Sequence, residues 1–281
     1  MKKELQKLRE IDHEVQLLRH SAALLQWDQE TGMPSEAIAE RSDQIALLEG
    51  IIHDRLTQPQ IEELLHQAGY REDEQLELEE GNPDFEEKAF LRAFSRSWVQ
   101  AAKLPRRLVT EMAIATSRGQ AAWVEARKKN SFVDFEPFLQ KILDLNLEKA
   151  EALSYDREAY DALLDEFEPG MSAAEVSRVF TQLQRNLRPM VERLSTATRG
   201  VDDRFRYRHY PRDRQREFSL RVLRDMGYDF NRGRLDESAH PFTTAVGGKD
   251  VRLTTRFNED DLLNALFGSI HEGGHGLYEM G

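Results

Sequence analysis

Apolar residues recur at three- and four-residue steps along most of this chain, and only one stretch, residues 240–257, changes to a strand-like period. The first spacing belongs to a helix with one buried face, the second to a half-buried strand. Leu5, Leu8, Ile11, Val15, Leu18, Ala22 and Leu25 set the pattern for a first helix. Gly32-Met33-Pro34-Ser35 breaks it, and Ser35 reads as the N-cap of a helix through Ile45, Leu48, Ile51 and Ile52. Residues 70–84 are acidic and end in the turn signal Gly81-Asn82-Pro83-Asp84. A long helical stretch then runs from Phe85 to about Lys129, interrupted at Pro105, and residues 135–153 form another. Ser172 with Glu175 fits a capping box for a helix through Val176, Val179, Phe180, Leu183 and Leu187. Residues 200–210 read as a polar loop, and Pro211 starts a helix ending near Gly227. Thr243-Thr244-Ala245-Val246, Gly247-Gly248 and Val251-Arg252-Leu253-Thr254-Thr255 read as a β-hairpin. Asp260 is placed to cap a last helix through Leu262, Leu263, Leu266 and Phe267. The predicted class is mainly α, with one small sheet.

The 281 residues are enough for a substantial buried core, in one large or two ordinary domains. With 51 acidic against 39 basic residues the formal charge is −12, which argues against nucleic acid or an anionic membrane as partner. The absence of cysteine excludes disulfides and thiolate sites. Any metal must then be held by His and carboxylate, which suits a catalytic zinc-type site. Lys2 and Lys3 have no apolar run behind them, so no secretory signal is visible, and no uncharged apolar stretch is long enough to span a bilayer. Elimination leaves the cytoplasm as the expected location.

The last predicted helix carries His271-Glu272-Gly273-Gly274-His275, an H-E-x-x-H motif. Residues four apart share one helix face, so two imidazoles at this spacing can grip one metal ion. Glu272, one step along, can act as general base toward a water that the metal has made acidic. The competing reading is a surface helix with two solvated histidines. The apolar run leading into the motif argues for burial, where unpaired His and Glu would be costly. Gly273, Gly274 and Gly276 each weaken a helix by roughly 1 kcal/mol relative to Ala. Such glycines are tolerated where small residues permit close packing or substrate approach. Catalytic zinc also needs a third protein ligand. Glu279 is the sole carboxylate after His275, and a third ligand on the same short helix has poor tetrahedral geometry.

Beyond this motif, His240-Pro241-Phe242 resembles the H-P-F element of the carboxypeptidase Taq family of metallocarboxypeptidases. Asp250-Val251-Arg252-Leu253-Thr254 resembles its D-x-R-x-T element, and residues 271–275 its H-E-x-G-H, in the same order and at similar spacing. Trp27-Asp28 with Thr31 and Met33-Pro34, and Tyr160-Asp161-Ala162-Leu163-Leu164 before Glu168-Pro169-Gly170-Met171, also look like family segments. The resemblance covers nearly the whole chain. It implies a long-helix, grooved metallopeptidase architecture with a small hairpin or sheet beside the metal-binding helix. It further implies a homodimer, and removal of C-terminal residues from peptides with broad specificity. His271 and His275 are then the metal ligands and Glu272 the catalytic carboxylate. The expected metal is divalent, zinc first, with cobalt or manganese as alternatives. Family members continue past the motif with a metal-binding Glu, so residues 1–281 read as the N-terminal portion of a single catalytic domain, whose own activity is open.

Other residues keep two readings. An edge strand beside the metal helix can pair with an extended peptide. Asp250 and Arg252 alternate with Val251 and Leu253 and so share a face. They make either a structural pair or, through Arg252, a clamp for a substrate carboxylate. His240 either lines the cleft or caps the turn before Pro241. The cluster Arg204, Arg206, Arg208, Arg212, Arg214 and Arg216 has acidic neighbours and reads as a salt-bridged surface. Trp27, Trp98 and Trp123 read as core. Against the metallocarboxypeptidase stand a non-catalytic helical scaffold or dimerisation module of the same fold, and an endo-acting oligopeptidase of related fold.

Overall fold

A computed structural model of the protein describes residues 2–71, 84–197 and 202–281. Most of the acidic run predicted at 70–84 therefore lies outside the described residues. The chain divides into two compact units, residues 1–29 with 33–154, and residues 30–32 with 155–281.

The first unit is helical. Helix α1 (Lys2–Thr31) buries Leu5, Leu8, Ile11, Val15 and Ala22, the stripe its spacing predicts. These side chains meet Ile52 and Leu56 of α2 (Ile38–Leu56), Ile61, Leu64 and Leu65 of α3 (Pro59–Gln67), and Leu91 and Phe94 of α4 (Phe85–Lys103). Trp98 packs on the same core. Ser35 does not cap α2; it opens a 3-10 turn, Ser35–Ala37, that runs straight into the helix. Pro105 separates α4 from α5 (Arg106–Lys129), as its missing N–H and fixed φ require. Helix α6 (Phe132–Leu153) packs against α5 through Gly119, where an added Cβ would fall 2.7 Å from Ile142 Cδ1.

The second unit begins with α7 (Ala159–Leu164) and α8 (Ala173–Ala197). The capping box of α8 forms as predicted: Glu175 N donates to Ser172 Oγ at 3.3 Å, and Ser172 N to Glu175 Oε2 at 3.1 Å. A 3-10 turn, Arg204–Tyr207, lies inside the predicted polar loop. Helix α9 (Arg212–Asp225) follows Pro211. Four of the six clustered arginines form ion pairs, Arg204 with Asp202, Arg206 with Asp261, Arg212 with Glu237 and Arg214 with Glu217, while Arg216 donates to the Leu235 carbonyl.

The sheet has three strands in the order β1-β3-β2: β1 (Gly233–Glu237), β2 (Thr243–Ala245) and β3 (Val251–Thr255). The predicted hairpin is β2 with β3, antiparallel, Thr244 opposite Arg252. Val246 N donates to the Asp250 carbonyl and Asp250 N to that of Gly247, closing a turn in which Gly247 has φ +132°. Strand β1 pairs parallel to β3 and is the element that spacing does not announce. Its sequence, Gly-Arg-Leu-Asp-Glu, has one apolar residue and no β-branched or aromatic one.

Helix α10 (Leu262–Met280) lies on this sheet and on α9. Its cap is Asp261 rather than Asp260: Leu263 N donates to Asp261 Oδ1 at 3.0 Å. At the other end Arg232 donates to the Met280 carbonyl at 2.6 Å, where a cation suits the helix C-terminus. The core beneath contains Leu223, Tyr228, Leu235 and Leu253. The Tyr228 hydroxyl donates to the Val251 carbonyl inside it. Burial pushes this phenol up to about 12, and the Asp250 and Asp236 carboxylates push the same way.

A tyrosine held protonated in the fold stabilises it fully below the unfolded value near 10, and that contribution is lost as pH rises toward 12. One of the seven tyrosines should therefore titrate near 12 by ultraviolet absorbance. Tyr228→Phe should abolish that step and flatten the fall in urea midpoint across the same window; an unchanged titration curve would refute the assignment.

Candidate metal and catalytic site

Each residue of an α-helix advances about 100° around the axis, so neighbouring positions of the motif face different surroundings. His271 and His275 are exposed, together with Asn264, Phe267, Gly274 and Tyr278. Ala265, Ser269, Glu272, Gly273 and Gly276 form the buried face. The expectation that the motif is buried thus holds for Glu272, 7% exposed, and not for the two histidines. Of the apolar residues leading into the motif, Ala265 is buried, Leu262, Leu263 and Leu266 are half-buried, and Phe267 is exposed with the histidines.

The three glycines separate by role. A Cβ on Gly273 would lie 2.5 Å from Leu223 Cδ2, and one on Gly276 2.8 Å from Leu253 Cδ2 and 2.9 Å from the Tyr228 ring. Those two permit close packing on α9 and β3. A Cβ on Gly274 would meet nothing within 4 Å, so this glycine lies on the open face with the histidines.

The imidazoles stand nearly perpendicular, with centroids 4.9 Å apart and Nε2 atoms 3.3 Å apart. Two nitrogens each about 2.05 Å from one tetrahedral zinc would themselves be roughly 3.3 Å apart. The donor pair therefore fits a zinc-type ion. The same contact also accommodates an N–H···N hydrogen bond between neutral rings of complementary tautomer. Among the described residues no group of three His, Asp or Glu is placed to hold a metal, and Glu279 does not complete one.

Glu272 is fixed from the sheet. Thr243 Oγ1, on β2, is 2.7 Å from Glu272 Oε2 and 3.0 Å from the Glu272 carbonyl. Thr243 was not among the residues singled out by sequence; a threonine in a three-residue strand carries no signal of what its hydroxyl meets. Strand β2 is an edge of the sheet. Phe242 and Val246 both bond toward β3, through the Phe242 carbonyl to Thr254 N and Val246 N to the Asp250 carbonyl. Antiparallel alternation then turns the backbone groups of Thr243 and Ala245 away from β3, to the open edge.

The other two sequence elements meet here. Phe242 N donates to Thr254 Oγ1 at 2.8 Å, which ties the 240–242 loop to the 250–254 strand. Ser238 Oγ lies 2.6 Å from the His240 carbonyl and 2.7 Å from Thr254 Oγ1. Pro241 packs by Gly268, one turn before His271, where an added Cβ would stand 3.6 Å from Pro241 Cγ. His240 itself is exposed. Arg252 closes a two-pronged bond on Asp250, Nε to Oδ1 at 2.8 Å and a terminal nitrogen to Oδ2 at 2.7 Å. That hydrogen bonding holds the Asp250 carboxyl below its ordinary range. Strand alternation puts the pair on the sheet face opposite Leu253, away from α10.

A family model described as carboxypeptidase Taq (M32) metallopeptidase matches residues 7–281. Thermostable carboxypeptidase 1 of Thermus thermophilus is 37% identical over 291 residues, covering 98% of this chain and 55% of its own length. The solved structure of BsuCP superposes with a TM-score of 0.91 at 31% identity, over 99% of this chain and 54% of that one. An M32 carboxypeptidase from Deinococcus radiodurans R1 gives 0.80 at 35% identity, over 99% and 54%. The chain spans about half the length of the curated relatives it matches.

Substitution of the glycines tests this division of α10. Gly274→Ala should raise stability by up to about 1 kcal/mol, the difference in helix propensity. Gly276→Ala should lower it by about 1 kcal/mol, because overpacking of roughly 1–3 kcal/mol outweighs the same gain. Equal melting shifts for the two would contradict the packing described.

Proposed function

The chain belongs to the carboxypeptidase Taq (M32) metallopeptidase family, and from that premise we propose that it carries the metal-gripping and proton-transferring part of a metal-dependent carboxypeptidase. The observation that supports this most directly is the 3.3 Å separation of the His271 and His275 Nε2 atoms on an open helix face beside Glu272. Residues 1–281 are read as part of one catalytic domain, in spite of its two compact units.

His271 and His275 would hold the ion, zinc by preference and cobalt or manganese as alternatives, since imidazole suits these borderline metals. When bound, such an ion makes a water acidic near pH 7 and polarises the scissile carbonyl. Glu272 takes the proton from the attacking water and returns it to the leaving amine. The substrate is a peptide, with its extended backbone along the open edge of β2 at Thr243 and Ala245 and its C-terminal residue as the one released. His240, in the loop packed on α10, is proposed to contact that peptide. For Arg252, a substrate-carboxylate role requires its guanidinium to leave or share Asp250, so its geometry favours the structural pair. A second copy of the chain, not nucleic acid or membrane, is the proposed macromolecular partner. No helix among the described residues is long and apolar enough to cross a membrane.

The scaffold reading retains one specific support, the lack of a third ligand among the described residues. Zinc binding measured by dialysis, with release of C-terminal amino acids from peptides, separates the two. A carboxypeptidase should bind one ion per chain, lose it on His271→Ala or His275→Ala, and spare peptides with a blocked C-terminus. Glu272→Gln should keep the ion and slow turnover by about 10²–10⁴-fold. A chain that binds no divalent metal and frees no amino acid has no carboxypeptidase activity of its own.

A further inference from the structure

We propose that Thr243 is a positioning residue that sets the orientation of the Glu272 carboxylate through its hydroxyl, while its own backbone sits in the edge offered to the peptide. The inference rests on the reading of Glu272 as proton carrier given above, and it goes further by assigning a role to a residue outside all three sequence elements.

A threonine hydroxyl has one proton and here two acceptors, Glu272 Oε2 at 2.7 Å and the Glu272 carbonyl at 3.0 Å. The carboxylate is the nearer and carries the charge, and charge-assisted O–H···O⁻ bonds are the shorter and stronger kind. The proton therefore goes to Oε2. That leaves Oε1, with both of its lone pairs unused by this bond, as the freer oxygen for proton transfer. Glu272 is 7% exposed and its side chain has three rotatable bonds, so without this contact nothing described at the site selects which oxygen faces outward. The bond crosses from sheet to helix, 29 residues apart in sequence, and links two rigid elements rather than two loops.

The same residue presents its N–H and C=O at the open edge of β2, because Phe242 and Val246 bond toward β3 on either side. A peptide pairing with this edge would bond to Thr243 directly. The distance from substrate backbone to carboxylate is then set within one residue. The β-branched side chain contributes too: threonine has few χ1 states, which limits where its hydroxyl can swing.

Two substitutions isolate the hydroxyl. Thr243→Val keeps the shape and strand preference and removes the proton donor; Thr243→Ser keeps the donor and removes the methyl. The first readout needs no metal and no turnover: the ¹³C carboxyl resonance of Glu272 in the 281-residue chain, assigned by its disappearance in Glu272→Gln. It should move in Thr243→Val and stay in place in Thr243→Ser. The second is zinc-loaded turnover. Thr243→Val should lower kcat by roughly 10–100-fold with KM changed less than about threefold, and Thr243→Ser should restore kcat to within about threefold. A resonance that does not move in Thr243→Val overturns the proposal. So does a valine variant that melts earlier yet keeps its kcat, since that is a purely structural hydroxyl. If the wild-type chain shows no turnover, the carboxypeptidase reading fails for this chain alone, and the resonance still decides whether Thr243 orients Glu272.

Discussion

The close approach of α10 to β3 and α9 is the constraint on which the candidate site depends. Gly273 and Gly276 make it possible, since either position with a Cβ would press into Leu223, Leu253 or Tyr228. The two glycines cost about 2 kcal/mol of helix propensity together. Leu223 and Leu253, both fully buried in the resulting interface, return roughly 1.5–3 kcal/mol each. Packing therefore wins, and a glycine-rich helix is held against the sheet. Asp261 at its start and Arg232 at its end satisfy the backbone groups that packing cannot reach.

That approach distance places the chemistry. Glu272 lies at the border between the buried and open faces, close enough to β2 for a threonine hydroxyl to meet its carboxylate. His275 lies on the open side of the same border. Neighbouring residues of one motif are thus given opposite environments: a carboxylate gripped by the sheet, and imidazoles left facing outward. On the proposed reading of Glu272 as base and the histidines as ligands, the two environments suit different tasks. A base must be oriented, whereas ligands must leave room for an ion, a water and a substrate.

The three sequence elements at 240–242, 250–254 and 271–275 converge for a structural reason. Thr254 accepts from the backbone of Phe242, Pro241 packs by Gly268, and Thr255 Oγ1 lies 3.3 Å from the Ala265 carbonyl. The hairpin and its preceding loop therefore act as the mount for α10. Arg252 belongs to the same strand but faces the other way, bound to Asp250.

Much of this was legible from residue order alone. The helices declare themselves because a 3.6-residue period is local, and Leu5, Leu8, Ile11 and Val15 are buried where the period puts them. The β2–β3 hairpin was legible for the same reason, and so was the one-face placement of His271 and His275. What was not legible depends on partners distant in the chain. Strand β1 exists because β3 pairs with it, and its own composition says nothing. Asp261 rather than Asp260 caps α10 because a one-residue choice of cap is settled by backbone geometry. Exposure of the histidines, the separate roles of Gly273, Gly274 and Gly276, and the meeting of Thr243 with Glu272 all follow from where the sheet lies against the helix. By itself the sequence determined the helix, its periodicity and which side chains share a face. Only the tertiary structure decided which face is open and which hydroxyl holds the carboxylate, because those contacts join residues that local periodicity cannot relate.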